Sequence, residues 1–178
     1  MRELSLSILD LVQNSIRSGA TVIEISVTTC ERENELVISV KDNGRGMTND
    51  EVENLTDPFY TTCSTHKVGL GVPLFVQRAH LTGGGCDIKS EKGSGTVITA
   101  WFDTRSVDFV PLGDMKTTLQ CLAFSAPQVN FIYNFSSDKQ CITLDFYKLY
   151  AELDVSVEVS PSFKAALIKE YLADEIIQ

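Results

Sequence analysis

The 178 residues predict an α+β fold: a two-layer sandwich whose mostly antiparallel sheet carries helices on one face, plus a small C-terminal α/β extension. Three observations lead there. An amphipathic stretch at the N-terminus runs directly into two alternating, β-branched stretches separated by a short polar turn. After two further helical stretches, another pair of such runs is joined by a tight turn, so the strands come as hairpins. Hydrophobic content of 43% against 22% charged residues is that of a chain that buries a core.

Each element has its own reason. Residues 3–18 place Leu4, Ile8, Leu11, Val12 and Ile16 at helical spacing, and "SGA" at 18–20 stops the helix. In "TVIEISVTT" (21–29), Ile23, Ile25 and Val27 fall on one face and Glu24, Ser26 and Thr28 on the other, a half-buried strand. "ELVISVKDNG" (35–44) is its partner across the polar turn "CEREN". Residues 48–55 form a short helix capped at Thr48, 57–68 have no period and form a long loop, and 72–81 form a helix that starts near Pro73 and ends at "TGGG". "CDIKSE" and "GTVITAWFD" are two more strands around the turn "KGSG".

After Asp103 the texture changes. "VPLGDMKTTLQCLAFSAP" reads as a helix, "NFIYNFSSDKQCITLDF" as a hairpin, and 161–178 as a helix capped near Ser160. The expected organisation is therefore a first unit over 1–103 and a smaller one over 104–178 packed on it.

The bulk numbers narrow the function. A net charge of −9 argues against a general binder of nucleic acid or of anionic membranes. The opening "MRELSLSILDLVQNS" carries Glu3, Asp10 and Gln13, so neither a signal peptide nor a membrane span is expected. Five cysteines without CxxC spacing read as reduced thiols of a cytoplasmic protein. With only His66 and His80 as histidines, a zinc site has no support.

Four clusters interrupt the periodic elements. Asp10 and Asn14 lie one turn apart on the first helix and can present two oxygen ligands, or a carboxylate base and an amide ligand, to one cation or water; a solvated helix face is the alternative. "DNGRGM" (42–47) follows a strand, and its first three residues are common in plain turns. A plain turn does not need Gly46 as well as Gly44, nor Met47 after it. Lys67, Gly69 and Gly71 lead into a helix whose free amides can meet a phosphate. "GSGT" (93–96) is a turn into the last strand of the first unit, for which turn chemistry suffices.

In this order and on these elements, the clusters resemble the GHKL ATP-binding module shared by DNA gyrase, the large heat-shock chaperone, sensor histidine kinases and the mismatch-repair MutL proteins. The resemblance covers about 3–102. "LDLVQNSIRSGA" (9–20) is similar to the family's N box, which implies Asn14 as magnesium ligand. "DNGRGM" matches the box whose aspartate recognises the adenine amino group, which implies that role for Asp42, with Gly44, Gly46 and Met47 beside it. "DPFYTT" (57–62) matches an aromatic box, with Phe59, Thr61 and Thr62 at the nucleotide. "KVGLGVPL" (67–74) resembles a glycine box, with Lys67, Val68, Gly69, Leu70 and Gly71 in an ATP lid. "LTGGGCDIKSEKGSGTVITAWF" (81–102) follows the closing pattern, in which Thr96 supports adenine through water.

The resemblance implies ATP and Mg²⁺ as cofactors and three alternatives for output. One is a stand-alone histidine kinase-like catalytic module in signalling. The 178 residues leave no space ahead of the module for the helical hairpin that bears the acceptor histidine in such kinases, so the acceptor is expected on a partner protein. The second is an ATP hydrolase with Asp10 as general base, where hydrolysing members carry a glutamate, and with nucleotide-driven homodimerisation. The third is a non-enzymatic nucleotide switch or anti-sigma-like regulator. Bland roles are expected elsewhere: His66 and His80 as surface or packing histidines, Cys63 as a passive thiol, Trp101 and Phe102 as core.

Overall fold

The computed structural model of the chain describes residues 3–55, 71–155 and 159–174. In chain order these form α1 (Leu4–Arg17), β1 (Val22–Cys30), β2 (Glu35–Asp42), α2 (Asn49–Leu55), α3 (Gly71–Leu81), β3 (Gly85–Glu91) and β4 (Gly95–Asp103). Then follow α4 (Met115–Ser125), β5 (Asn130–Ser136), β6 (Cys141–Asp145), α5 (Phe146–Glu152) and α6 (Pro161–Asp174). The expected α+β sandwich is what the chain adopts: six strands form one open sheet in the order β3-β4-β2-β1-β5-β6, antiparallel everywhere except between β1 and β5.

Local sequence explains the elements. β1 alternates with period two, so Ile23, Ile25 and Val27 are buried under the helices while Glu24 and Ser26 face the other side. β2 repeats the pattern with Leu36, Ile38 and Val40, and Ile25 lies opposite Val40 in the ladder. α2 begins with a capping box: the Glu51 amide donates to Thr48 Oγ1 at 3.3 Å and the Thr48 amide to Glu51 Oε2 at 2.8 Å. That amide, with Arg45 nearby, holds the Glu51 carboxyl below the usual carboxylate range.

α1 lacks a side-chain cap at Glu3. Main-chain carbonyls of the segment before α4 take its place: the Leu4 amide donates to Pro111 O at 3.0 Å and the Ser5 amide to Leu112 O at 2.7 Å. Gly113, at φ +84, lets the chain pass so close that a Cβ there would run into Glu3 and Ser5.

Residues 104–178 contribute two strands to the same sheet, β5 lying parallel to β1 with Tyr133 opposite Ile25. The sequence leads one to expect no helix between the hairpin at 130–146 and Ser160, yet α5 follows β6 without a break. Asp145 ends the strand and caps the helix, accepting from the Tyr147 and Lys148 amides at 3.1 and 3.2 Å. One apolar core runs from Leu4 and Phe75 through Phe102 and Phe131 to Phe146 and Leu172. Phe75 meets Phe102 edge-on at 5.6 Å, fixing α3 under β4. Phe102 is core as expected, but its neighbour Trp101 points to the other face of the strand and is exposed.

The face of the sheet away from the buried side chains is polar. Thr143, Asn134, Ser26, Ser39 and Thr99 form one row across five strands. Hydrogen bonds tie neighbours within it, Thr143 Oγ1 to Asn134 Oδ1 and Ser39 to Thr99 at 3.0 Å each.

Candidate functional site

The C-terminal end of β2 is the best-organised polar point in the described fold. Asp42 closes that strand with 9% of its surface exposed. Ser15, on α1, donates its hydroxyl to Asp42 Oδ2 at 2.6 Å, and the Gly44 amide donates to Asp42 Oδ1 at 2.8 Å. A buried carboxylate needs such donors, because leaving it unsatisfied costs several kcal/mol or forces it to take up a proton. Each oxygen keeps a further lone pair, so the group can still accept from an incoming N–H.

The following loop is sewn to the α1–β1 connection. Asn43 Oδ1 accepts from the Thr21 and Val22 amides at 2.9 and 3.0 Å, and the Arg45 amide donates to Ser18 O at 3.0 Å. Two glycines here have no room for a side chain. A Cβ on Gly44 would strike Ser18 Oγ, and one on Gly46, at φ +63, would strike the Glu91 carbonyl.

β4 completes this end of the sheet. Thr96 lies opposite Asp42 in one ladder and opposite Ser90 in the other. Ser90 Oγ accepts from the Met47 amide at 2.8 Å and bonds Thr96 Oγ1 at 2.8 Å. Asp42, Gly44, Gly46, Met47 and Thr96 therefore share one small region, held by Ser15, Ser18 and Ser90. Sequence reading missed those three serines. The only trace of Ser15 is its place next to Asn14 on the inner side of the first helix; Ser18 and Ser90 leave none.

α1 carries the remaining groups. Asp10 is exposed and Asn14 half-buried, one turn apart, and the Asn14 side chain makes no hydrogen bond among the described residues. Gly71, the first residue of α3, abuts Asp10: a Cβ there would sit 3.0 Å from the Asp10 Cβ. The N-terminus of α3, with its unpaired amides, thus meets α1 at Asp10. Residues Phe59, Thr61, Thr62, Lys67, Val68, Gly69 and Leu70, together with Cys63 and His66, lie outside the described residues. His80 is exposed at the end of α3.

Comparison with known proteins agrees in extent with these elements. Residues 2–106 match the family model described as histidine kinase-, DNA gyrase B-, and HSP90-like ATPase. The sensor histidine kinase YvrG of Bacillus subtilis (strain 168) is 32% identical over 97 residues, covering 52% of this chain and 17% of that protein. Sporulation kinase C of the same organism is 30% identical over 89 residues, covering 50% and 21%. The chain spans about a fifth of the length of these curated relatives. Among solved structures, the N-terminal domain of a DNA repair protein superposes with a TM-score of 0.51 at 15% identity, covering 82% of this chain and 52% of that one. At that identity the likeness is one of fold alone.

Proposed function

Because the chain belongs to the histidine kinase-, DNA gyrase B-, and HSP90-like ATPase family, we propose that it binds ATP with Mg²⁺ and works as a catalytic module, passing the γ-phosphoryl group to a partner protein in signalling. The observation that carries the reading is Asp42, a nearly buried carboxylate fixed by Ser15 and Gly44 with acceptor capacity to spare. A flat ring bearing an exocyclic amine suits that environment, since the carboxylate can still accept from the amine, while Gly44 and Gly46 let the loop pack against Ser18 and Glu91 and so hold Asp42 in place.

The residues fit the nucleotide at its other end as well. Asn14 offers an amide oxygen to a divalent cation that otherwise keeps water and phosphate ligands, and Mg²⁺ is content with one or two protein oxygens. Among the described residues no group of three or more His, Cys, Asp or Glu side chains competes for the metal. When bound, ATP–Mg²⁺ supplies the transferable phosphoryl group. The chain would supply position and charge: Asp42 and Thr96 would orient the base, Asn14 would hold the metal, and the amides at the start of α3 would meet the anionic end, with Lys67 assigned to the same charge-neutralising role. Phe59, Thr61, Thr62, Val68, Gly69 and Leu70 belong to the same proposal as lid residues.

Asp10 favours one further reading, hydrolysis. Its carboxylate sits beside the N-terminus of α3, where a water near the terminal phosphate would be within reach of a base. Two measurements separate these outputs. Calorimetric titration with ATP and Mg²⁺ should show saturable binding by the wild type and none by Asp42→Ala; equal affinity in both would remove the basis of the proposal. Incubation with labelled ATP and candidate acceptor proteins should then place label on a partner rather than in free phosphate.

A further inference from the structure

The strand at the far end of the sheet from the nucleotide residues raises a separate question. β6 is an edge strand, and among the described residues it has no neighbour beyond β5. The hydrogen-bond phase of its ladder follows from the turn: the Ser137 amide donates to Gln140 O at 2.8 Å, so that pair is a bonded one. Counting along the register, Ile142 and Leu144 spend their main-chain groups on β5. Cys141, Thr143 and Asp145 direct theirs outward. Cys141 and Thr143 are also exposed, and the strand has neither proline nor lysine to blunt the edge.

Below this edge runs an open groove of about 230 Å³, lined by Thr143, Leu144, Lys148, Leu149, Glu152 and Tyr171 among others. Its charged residues are Asp145, which ends β6, and Lys148 and Glu152, of opposite sign and one turn apart on α5; the exposed Lys148 Nζ lies 3.8 Å from Asp145 Oδ2 of its own chain.

We propose that β6 pairs with β6 of a second copy of this chain, antiparallel, about a twofold axis at Thr143. Three features select this occupant. An axis at Thr143 sets Cys141 opposite the copy's Asp145 and Thr143 opposite itself, so every outward-facing residue meets another outward-facing one and the bonded phase continues unbroken. Ile142 then faces the copy's Leu144, and both lie on the buried side. Turned on itself, the groove also brings Lys148 of each copy toward Glu152 of the other, so the charges complement. The helices leave room. α5 packs on both β5 and β6, which puts it inside the edge by about half a strand spacing or more. Two joined edges therefore leave roughly 10 Å between the α5 axes, the ordinary distance of packed helices. The closed twofold consumes both edges, so assembly stops at the dimer.

Sedimentation equilibrium of the full chain without nucleotide tests this. The wild type should form dimers in a concentration-dependent way. Thr143→Pro removes an outward amide, no amide that bonds β5, and the exposed side-chain bond to Asn134; it should raise the dissociation constant at least about tenfold without changing the far-UV spectrum. Lys148→Glu and Glu152→Lys should each weaken the dimer, and the double exchange should restore it, a rescue that a folding defect would not show. A wild type that stays monomeric at its highest workable concentration overturns the proposal. So does a dimer indifferent to both charge reversals, and so does association only with a foreign strand-forming peptide.

Discussion

Ser15 Oγ lies 2.6 Å from Asp42 Oδ2, joining the middle of α1 to the end of β2 by a buried hydrogen bond between residues 27 apart in sequence. The same helix turn carries Asn14, so the bond sets the distance between the two groups proposed to grip opposite ends of the nucleotide. Ser15→Ala removes the donor and leaves one carboxylate oxygen unsatisfied. Hydrogen bonds to charged groups contribute about 1.5–3 kcal/mol, so ATP affinity by calorimetry should fall roughly tenfold or more. Unchanged affinity would mean that Gly44 alone holds Asp42.

Gly95 precedes Thr96 at φ +105, and a Cβ on it would collide with the Asp42 main-chain carbonyl. Gly95→Ala therefore meets both a forbidden backbone angle and a backbone obstacle. Urea denaturation should show a loss of about 1–3 kcal/mol, with ATP affinity falling in parallel as Asp42 is displaced.

Asp10→Asn tests the base. The amide keeps the shape and its contact with Gly71 but cannot take a proton. ATP binding should stay nearly unchanged while any release of inorganic phosphate stops; continued release would excuse Asp10 from the chemistry.

Asp114 caps α4, accepting from the Thr117 amide at 2.9 Å and from the Thr117 hydroxyl at 2.6 Å. These donors hold its carboxyl below the ordinary range. A lowered folded-state pKa gives stability that is fully present above the unfolded value and lost as pH falls through the folded one. Asp114→Ala should cost about 1 kcal/mol near neutrality. In thermal melts the gap between variant and wild type should close as pH drops below the usual carboxylate range; a constant gap would point to packing instead.

Burial pushes the Cys86 thiol up to about 11, with Asp87 adding to the effect, whereas Cys121 is exposed on α4. Thiolate is the reactive form. Mass-spectrometric mapping after mildly alkaline alkylation should find Cys86 labelled at least about tenfold more slowly than Cys121.

What the sequence disclosed and what it withheld follow one division. α1, β1, β2, β3 and β4 were legible because each is set by a local period and closed by a local stop, such as Gly19 or the turn at 92–94. The Thr48–Glu51 box marked α2 for the same reason. The parallel pairing of β5 with β1 was not legible, since it joins strands about a hundred residues apart with no hairpin to announce it. α5 escaped notice because it has seven residues and starts where a strand ends, with Asp145 serving both. At the site, Asp42 and its glycines stood out through residue types that ordinary turns do not require. Ser15 and Ser90 did not, because a serine becomes informative only when its partner is known.

The main-chain cap on α1 bears on how the protein can be cut. A fragment stopped at Asp103 would keep Asp10, Asn14, Asp42 and Thr96, and would look like a minimal nucleotide-binding unit. It would lack Pro111 and Leu112, so the first amides of α1 would open to water and the helix would fray from the end nearest Asp10. Shortening this protein is therefore a perturbation of its proposed binding residues at long range, and the last two fifths of the chain are part of their foundation.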